Sequence, residues 1–167
     1  KVCFNKMLNL TMERTIQPAI VPPTENTRAL LEAKMKHTID KHLAEHIDES
    51  TKREILDSAK IAGDGAFRMK HCLSHGDPTA ENVMNRIGYG KVFIDPIHAT
   101  EVVPDSPAVD IGKMLQSAYG WEDAKYNNGV IAYRNRDVKD YIDDDRLFAV
   151  GEAWAVVHVM RAVPYVL

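Results

Sequence analysis

The sequence predicts a mainly α-helical domain with one small β-hairpin near its middle. Three observations carry this. Apolar residues recur at helical spacing over most of the chain. Two short apolar runs flank the glycine-containing link Ile87-Gly88-Tyr89-Gly90, the pattern of a hairpin. Hydrophobic residues make up 45% of the 167, and a chain of this size buries about two-thirds of its unfolded surface, enough for a single core.

Taken in order, residues 3–17 carry Cys3, Phe4, Met7, Leu8, Leu10, Met12 and Ile16, an amphipathic helical pattern. Pro18, Pro22 and Pro23 end it and predict an extended connector. Over 25–47, Leu31, Met35, Ile39, Leu43 and Ile47 recur every four residues, one face of a long helix. Thr51 with Glu54 has capping-box spacing, so a helix is expected from about 51 to 62, stopping at Gly63. The strands are expected over Asn82 to Arg86 and Lys91 to Ile94. Pro107 suits the first turn of a helix running to about Ser117, and further helices are expected over 135–148 and 149–161. There is no internal repeat and no low-complexity tract.

Lys+Arg 21 against Asp+Glu 24 gives a net charge of −3, which argues against a nucleic-acid binder driven by bulk charge. Two cysteines, Cys3 and Cys72, are no disulfide framework, and with seven Met they predict a reducing, cytoplasmic setting. No membrane span is expected, because the most apolar stretch, 153–167, is broken by His158, Arg161 and Pro164. Asn5, Lys6 and Asn9 interrupt the early apolar residues, so no signal peptide is visible.

Polar, titratable residues concentrate around the hairpin. His75-Gly76-Asp77-Pro78-Thr79-Ala80-Glu81-Asn82 fits H-x-D-x-x-x-x-N, the spacing of the kinase catalytic loop. Phosphoryl transfer needs a carboxylate near the attacking hydroxyl and an oxygen ligand for Mg²⁺ a short loop away. An Asp and an Asn five residues apart, at a strand entry, supply both. Phe93-Ile94-Asp95 follows, and an Asp ending the second strand points back beside Asn82. Two oxygen ligands suit Mg²⁺, which takes few protein ligands and keeps waters and phosphates.

These residues, with Pro96 and the run Asp105-Ser106-Pro107-Ala108-Val109-Asp110-Ile111-Gly112-Lys113-Met114-Leu115-Gln116-Ser117, closely resemble the aminoglycoside phosphotransferase and choline kinase superfamily. Those are small-molecule kinases with a protein-kinase-like fold. Ile94-Asp95-Pro96 and the Asp110, Lys113, Ser117, Gly120-Trp121 run look most like a bacterial subgroup found with sugar and capsule biosynthesis genes. The match is specific over about residues 73–121.

The resemblance implies ATP- and Mg²⁺-dependent phosphorylation of a hydroxyl on a sugar, amino sugar or amino alcohol. Asp77 would be the catalytic base, Asn82 and Asp95 the Mg²⁺ ligands and through the metal the nucleotide site. His75 would brace the loop, and Asp110 would hold its backbone by accepting N–H groups. Gly76 stands where protein kinases place Arg, which argues against control by activation-loop phosphorylation. Pro78-Thr79-Ala80-Glu81 departs from the Leu-His-Pro-Gly commoner in antibiotic kinases, and Ile97-His98 from the Arg-Gly usual in the sugar-linked subgroup.

The implied fold is a single protein-kinase-like C-terminal lobe over 1–167, with the N-terminal lobe absent. Its parts are a helical segment (1–66), the catalytic loop, metal hairpin and scaffolding helix (67–121), and C-terminal helices (122–167). No G-x-G-x-x-G and no V-A-I-K-like strand precedes His75, and the chain begins with Lys1. The expectation is a fragment of a longer enzyme with little activity alone, completed by an N-terminal lobe from the same or another chain. Two other classes use the same residues: a non-catalytic binding or assembly module built on a degenerate lobe, and a Mg²⁺-dependent phosphohydrolase.

Several blander readings stand beside these. His71-Cys72-x-x-His75 lacks the second Cys/His pair of structural zinc, so Cys72 reads as a small buried apolar residue. Ser74, His75 and Asp77 hold the letters of a hydrolase triad without G-x-S-x-G. The acidic stretch Asp137, Asp140, Asp143, Asp144, Asp145 reads as a solvated face. Trp121, Tyr126 and Trp154 read as core before substrate pocket, and Lys113 as an ion-pair partner.

Overall fold

A computed structural model describes residues 17–88, 90–126 and 137–165. The helix expected over 3–17 lies almost wholly outside them. The described elements are α1 (Thr27–Thr38), α2 (Glu49–Arg68), β1 (Val83–Arg86), β2 (Gly90–Phe93), α3 (Pro107–Ala118), α4 (Trp121–Tyr126) and α5 (Asp145–Ala162), with 3₁₀ turns at Ala80–Asn82, Asp137–Tyr141 and Val163–Tyr165. The fold is mainly helical with one two-stranded antiparallel sheet.

The core sits where α5 packs on α3 and α2, and α2 on α1. Leu31, Met35, Ala59, Ala62, Ile111, Met114, Leu115, Trp154 and Val157 are all fully buried there. Trp154 belongs to this core, its indole N–H donating to Ala62 O at 3.1 Å. α3 and α5 touch closely because Gly112 presents no side chain: a Cβ there would lie 2.4 Å from Trp154 Cβ. α3 starts as expected, with Ser106 capping the Ala108 N–H at 3.4 Å and Pro107 in the first turn.

Four expectations need correction. The helix over 25–47 is α-helical only to Thr38 and continues as a π turn over Ile39–Leu43. An α-helix turns about 100° per residue, so a row spaced by four drifts roughly 40° per step. The wider π turn brings the drift back, which keeps Ile39 buried and Leu43 and Ile47 against the core. Second, α2 is capped by Asp48, whose carboxylate accepts the Thr51 N–H at 2.7 Å, rather than by Thr51. Third, α2 runs through Gly63 to Arg68. Gly63 serves packing there: a Cβ would lie 2.5 Å from Arg28 Cα. Fourth, the boundary expected between the C-terminal helices at 148–149 falls inside one helix, and the described part of the expected 135–148 helix opens with a separate 3₁₀ turn, Asp137–Tyr141, with 135–136 outside the described residues. Asp144 accepts the N–H groups of Arg146 and Leu147 at 2.9 Å each and starts α5, which passes unbroken through 148–149.

The hairpin is near its expected place, with Val83 opposite Phe93 and Arg86 opposite Gly90. Gly88 and Gly90 both have φ +79°, a conformation glycine adopts without strain. Residues 145–165 pass a test of length and hydropathy for a membrane-crossing helix, but 56% of their apolar window is buried inside the fold, as in a core helix.

Candidate active site

Two buried aspartates fix the loop that carries Asp77. Asp105 Oδ1 accepts from Ser74 N (3.0 Å) and Ser74 Oγ (2.9 Å), and its Oδ2 accepts from Ile20 N (2.8 Å) and Val21 N (2.9 Å). Burial alone would raise this carboxyl, but the N–H groups of Val21, Ser74 and Ile20 and the Ser74 hydroxyl outweigh it, leaving Asp105 below the usual 3.8. Sequence reading assigned Asp105 no role. Its only local signal is its place one residue before the Ser106 cap.

Asp110, 1% exposed, accepts from His75 N and Gly76 N at 2.8 Å each. On the other side, Ile97 N donates to His75 O at 2.9 Å. Gly76 has φ +80°, and a Cβ on it would lie 2.6 Å from Ile97 O, so the position needs glycine for both conformation and space. The buried His75 ring lies 4.9 Å from the Phe93 ring, packing the loop against β2.

Asp77 projects from this braced loop with its carboxylate divided between two neighbours. Oδ2 accepts from Asn82 Nδ2 at 2.8 Å, and Oδ1 lies 2.9 Å from Lys113 Nζ of α3. Asn82 Nδ2 also donates to Asp77 O at 2.9 Å. Both Asn82 donor bonds are thus spent on Asp77, which leaves its Oδ1 as an acceptor or metal ligand. The Thr79 N–H donates to Asp77 O at 2.8 Å and the Asn82 N–H to Thr79 O at 3.1 Å, closing a tight turn. Ser117 Oγ accepts the Ala80 N–H at 3.3 Å, tying the turn to α3.

Asp95 follows β2. Ile94 N donates to Asn82 O at 2.9 Å, which sets Asp95 one residue beyond a direct link to Asn82. Asp95 is exposed and has φ +53°, the one non-glycine residue in the left-handed region among those described. Such a conformation costs of order 1–3 kcal/mol. Asn82 and Asp95 offer hard oxygen donors, the chemistry Mg²⁺ requires. Among the described residues no group of three or more His, Cys, Asp or Glu side chains is placed to hold a metal; an Asn–Asp pair completed by waters and phosphates involves no such group.

Behind Lys113 lies a further pair that sequence reading missed. His158 of α5 is 1% exposed, with Nε2 3.1 Å from Val109 O and Nδ1 3.3 Å from Arg161 NH1. The carbonyl and guanidinium partners assign the neutral tautomer with hydrogen on Nε2. Burial, then Lys113 and Arg161, push its pKa well below 6.5. These residues carry no spacing signal, because they meet the loop from a helix about 80 positions away.

The remaining candidates sort as follows. Cys72 is buried and free, its thiol pushed up to about 11 chiefly by burial and then by Asp110 and Asp105. Trp121 and Tyr119 line a mostly apolar cavity of about 440 Å³ between α3, α4 and α5, and Tyr126 is exposed. Asp140, Asp143 and Asp145 are exposed, while Asp144 is the α5 cap. No family model, no curated protein and no solved structure matches the chain.

Proposed function

We propose that the chain is the catalytic-loop part of a small-molecule kinase with a protein-kinase-like fold, transferring a phosphoryl group from ATP to a hydroxyl. The observation that carries the reading is the divided Asp77 carboxylate: one oxygen fixed by Asn82, the other paired with the Lys113 ammonium. A hydroxyl that displaces Lys113 from Oδ1 meets an oriented carboxylate able to align it and take its proton. Asn82 ties that carboxylate to the metal-ligand side through the same amide that frees its own oxygen. Asn82 and Asp95 would hold Mg²⁺, which would supply charge neutralisation on the transferred phosphoryl group. Asp110 and Asp105 touch no substrate in this scheme; they hold the loop so that Asp77 needs no reorganisation. The apolar cavity begins at Gln116, about one turn along α3 from Lys113, and offers room for the body of an acceptor.

The reading assigns the clamp on the ATP phosphates to a segment outside these 167 residues, so weak turnover is expected from the chain alone. Transfer of label from γ-labelled ATP to a panel of polyols, sugars and amino alcohols tests it, in the presence of that segment once identified. Asp77→Asn should lower turnover by about 10²–10⁴-fold with unchanged circular dichroism. Equal turnover in Asp77→Asn would remove the kinase reading and leave the binding-module alternative.

A further inference from the structure

We infer that the cavity between α3, α4 and α5 binds a neutral small molecule with an apolar body and an amide-like edge, an N–H donor beside a C=O acceptor, which pairs with the Gln116 carboxamide. The binding site stands on the cavity and on Gln116. That its occupant is also the hydroxyl-bearing acceptor rests on the kinase reading.

The cavity holds about 440 Å³, within the range of roughly 300–1,000 Å³ usual for small-molecule sites. Trp121 of α4 and Val156, Val159 and Met160 of α5 give it walls that are mostly apolar. Gln116 is different. It lines the same cavity from α3 and is only 2% exposed. Among the described residues, neither its Oε1 nor its Nε2 has a hydrogen-bond partner. The polar groups beside it are taken: the Tyr119 hydroxyl donates to Glu152 Oε1 at 2.9 Å, and Ser117 Oγ accepts the Ala80 N–H at 3.3 Å. Buried polar side chains are nearly always paired, and an unpaired amide destabilises the fold that holds it. Packing alone does not call for an amide here. A Met or Leu would fill the place without that cost, as Met114 and Leu115 do on the same helix. A ligand that pairs with the carboxamide accounts for it.

The chemistry of the carboxamide selects the ligand. Its oxygen accepts and its nitrogen donates, side by side, so its complement is a donor next to an acceptor. A carboxamide, a lactam or an N-acyl group presents that edge. Among the described lining residues the only charge is Glu152, which is exposed. The buried wall offers an amide and neither a cation nor a carboxylate, so the group recognised there is neutral. Gln116 also lies between Lys113, which pairs with Asp77, and Ser117, which holds Ala80 of the same loop. On the kinase reading the acceptor is therefore a hydroxyl-bearing amide with an apolar body, not a bare polyol.

The test titrates the full chain with benzamide and with ethylbenzene, followed by NMR. Both rings fit the apolar walls, and only benzamide carries the amide edge. Benzamide is expected to saturate one site, on the order of millimolar, shifting the Gln116 side-chain amide, the Trp121 indole N–H and the Val156 and Val159 methyl signals. Gln116→Met should weaken benzamide about tenfold and leave ethylbenzene no weaker. The same variant should melt at a higher temperature than wild type without ligand, because it removes an unpaired buried amide. Val156→Trp, which fills the cavity, should lose both probes. No saturable benzamide shift, shifts centred on other side chains, or equal benzamide affinity in Gln116→Met would overturn the inference. So would a lower melting temperature or loss of ethylbenzene in Gln116→Met, since either makes the carboxamide a structural group. These readouts use no ATP. Failure of the kinase reading is seen instead in the turnover of Asp77→Asn and leaves them unchanged.

Discussion

His158 should make the fold acid-sensitive above the range where carboxylates titrate. The ring is neutral in the folded state because both nitrogens are taken: Nε2–H faces Val109 O, and Nδ1 receives Arg161 NH1. A second ring proton would set an N–H against a guanidinium N–H, beside the Lys113 ammonium, inside the core. In the unfolded chain the same imidazole titrates near its ordinary 6.5. The folded pKa lies below the unfolded one, so the unfolded state binds the extra proton and stability falls as pH drops below 6.5. A folded ring that stayed neutral down to pH 5 would cost about 2 kcal/mol between pH 7.5 and pH 5, since each pH unit beyond the unfolded pKa contributes roughly 1.4 kcal/mol. For a chain of this size that lowers the melting temperature by about 4–8 °C. Calorimetry across pH 5–8 on wild type and His158→Gln measures it: the variant should lose this slope while starting from lower stability. Long-range ¹H–¹⁵N spectra should show one imidazole locked with hydrogen on Nε2 and silent through pH 6.5. A His158 that titrates near 6.5, or an unchanged slope in His158→Gln, would refute the reasoning.

Three further outcomes follow from the same contacts. Asp110→Ala leaves the buried His75 and Gly76 N–H groups without an acceptor, at about 1–3 kcal/mol each; the urea midpoint should fall with an unchanged slope, and a wild-type midpoint would count against the bracing role. Gly63→Ala sets a Cβ 2.5 Å from Arg28 Cα, so overpacking of about 1–3 kcal/mol should exceed the roughly 1 kcal/mol gained in helix propensity, seen as a lower thermal midpoint. Cys72, its thiol pushed up to about 11 by burial and two aspartates, should resist iodoacetamide at pH 8 in the folded chain and react on denaturation, as read by peptide mass mapping.

The elements that were legible carry their signals locally. Ser106-Pro107 marks the start of α3, and glycines at 88 and 90 mark the hairpin, because a cap and a tight link are decided by residues within a few positions of each other. The loop from His75 to Asn82 was legible as a spacing, and the structure brings Asp77, Asn82 and Asp110 together around it. What was not legible depends on distant partners. Gly63 reads as a helix stop until Arg28 is packed against it. Asp105 draws its donors from positions 31 and 84–85 residues earlier, which no window of sequence reveals. Arg161 and His158 were seen only as interruptions of an apolar stretch, and their meaning comes from the crossing of α5 over α3.

Hydrogen bonding sorts the three aspartates of this loop by what they are free to do. Asp105 takes four donors and Asp110 two backbone N–H groups, from neighbours that are buried or half-buried except for exposed Ile20. Either could meet a ligand only by breaking the bonds that shape the loop, at about 1–3 kcal/mol for each buried donor stranded. Asp77 is different. Its Oδ1 partner is an ammonium on a four-carbon stem, which can move aside without disturbing any backbone bond. The same scaffold that fixes two carboxylates therefore leaves one oxygen of the third held by a movable ammonium, and Lys113 determines what reaches it. If Asp77 acts as a base, Lys113 must be displaced as the hydroxyl arrives.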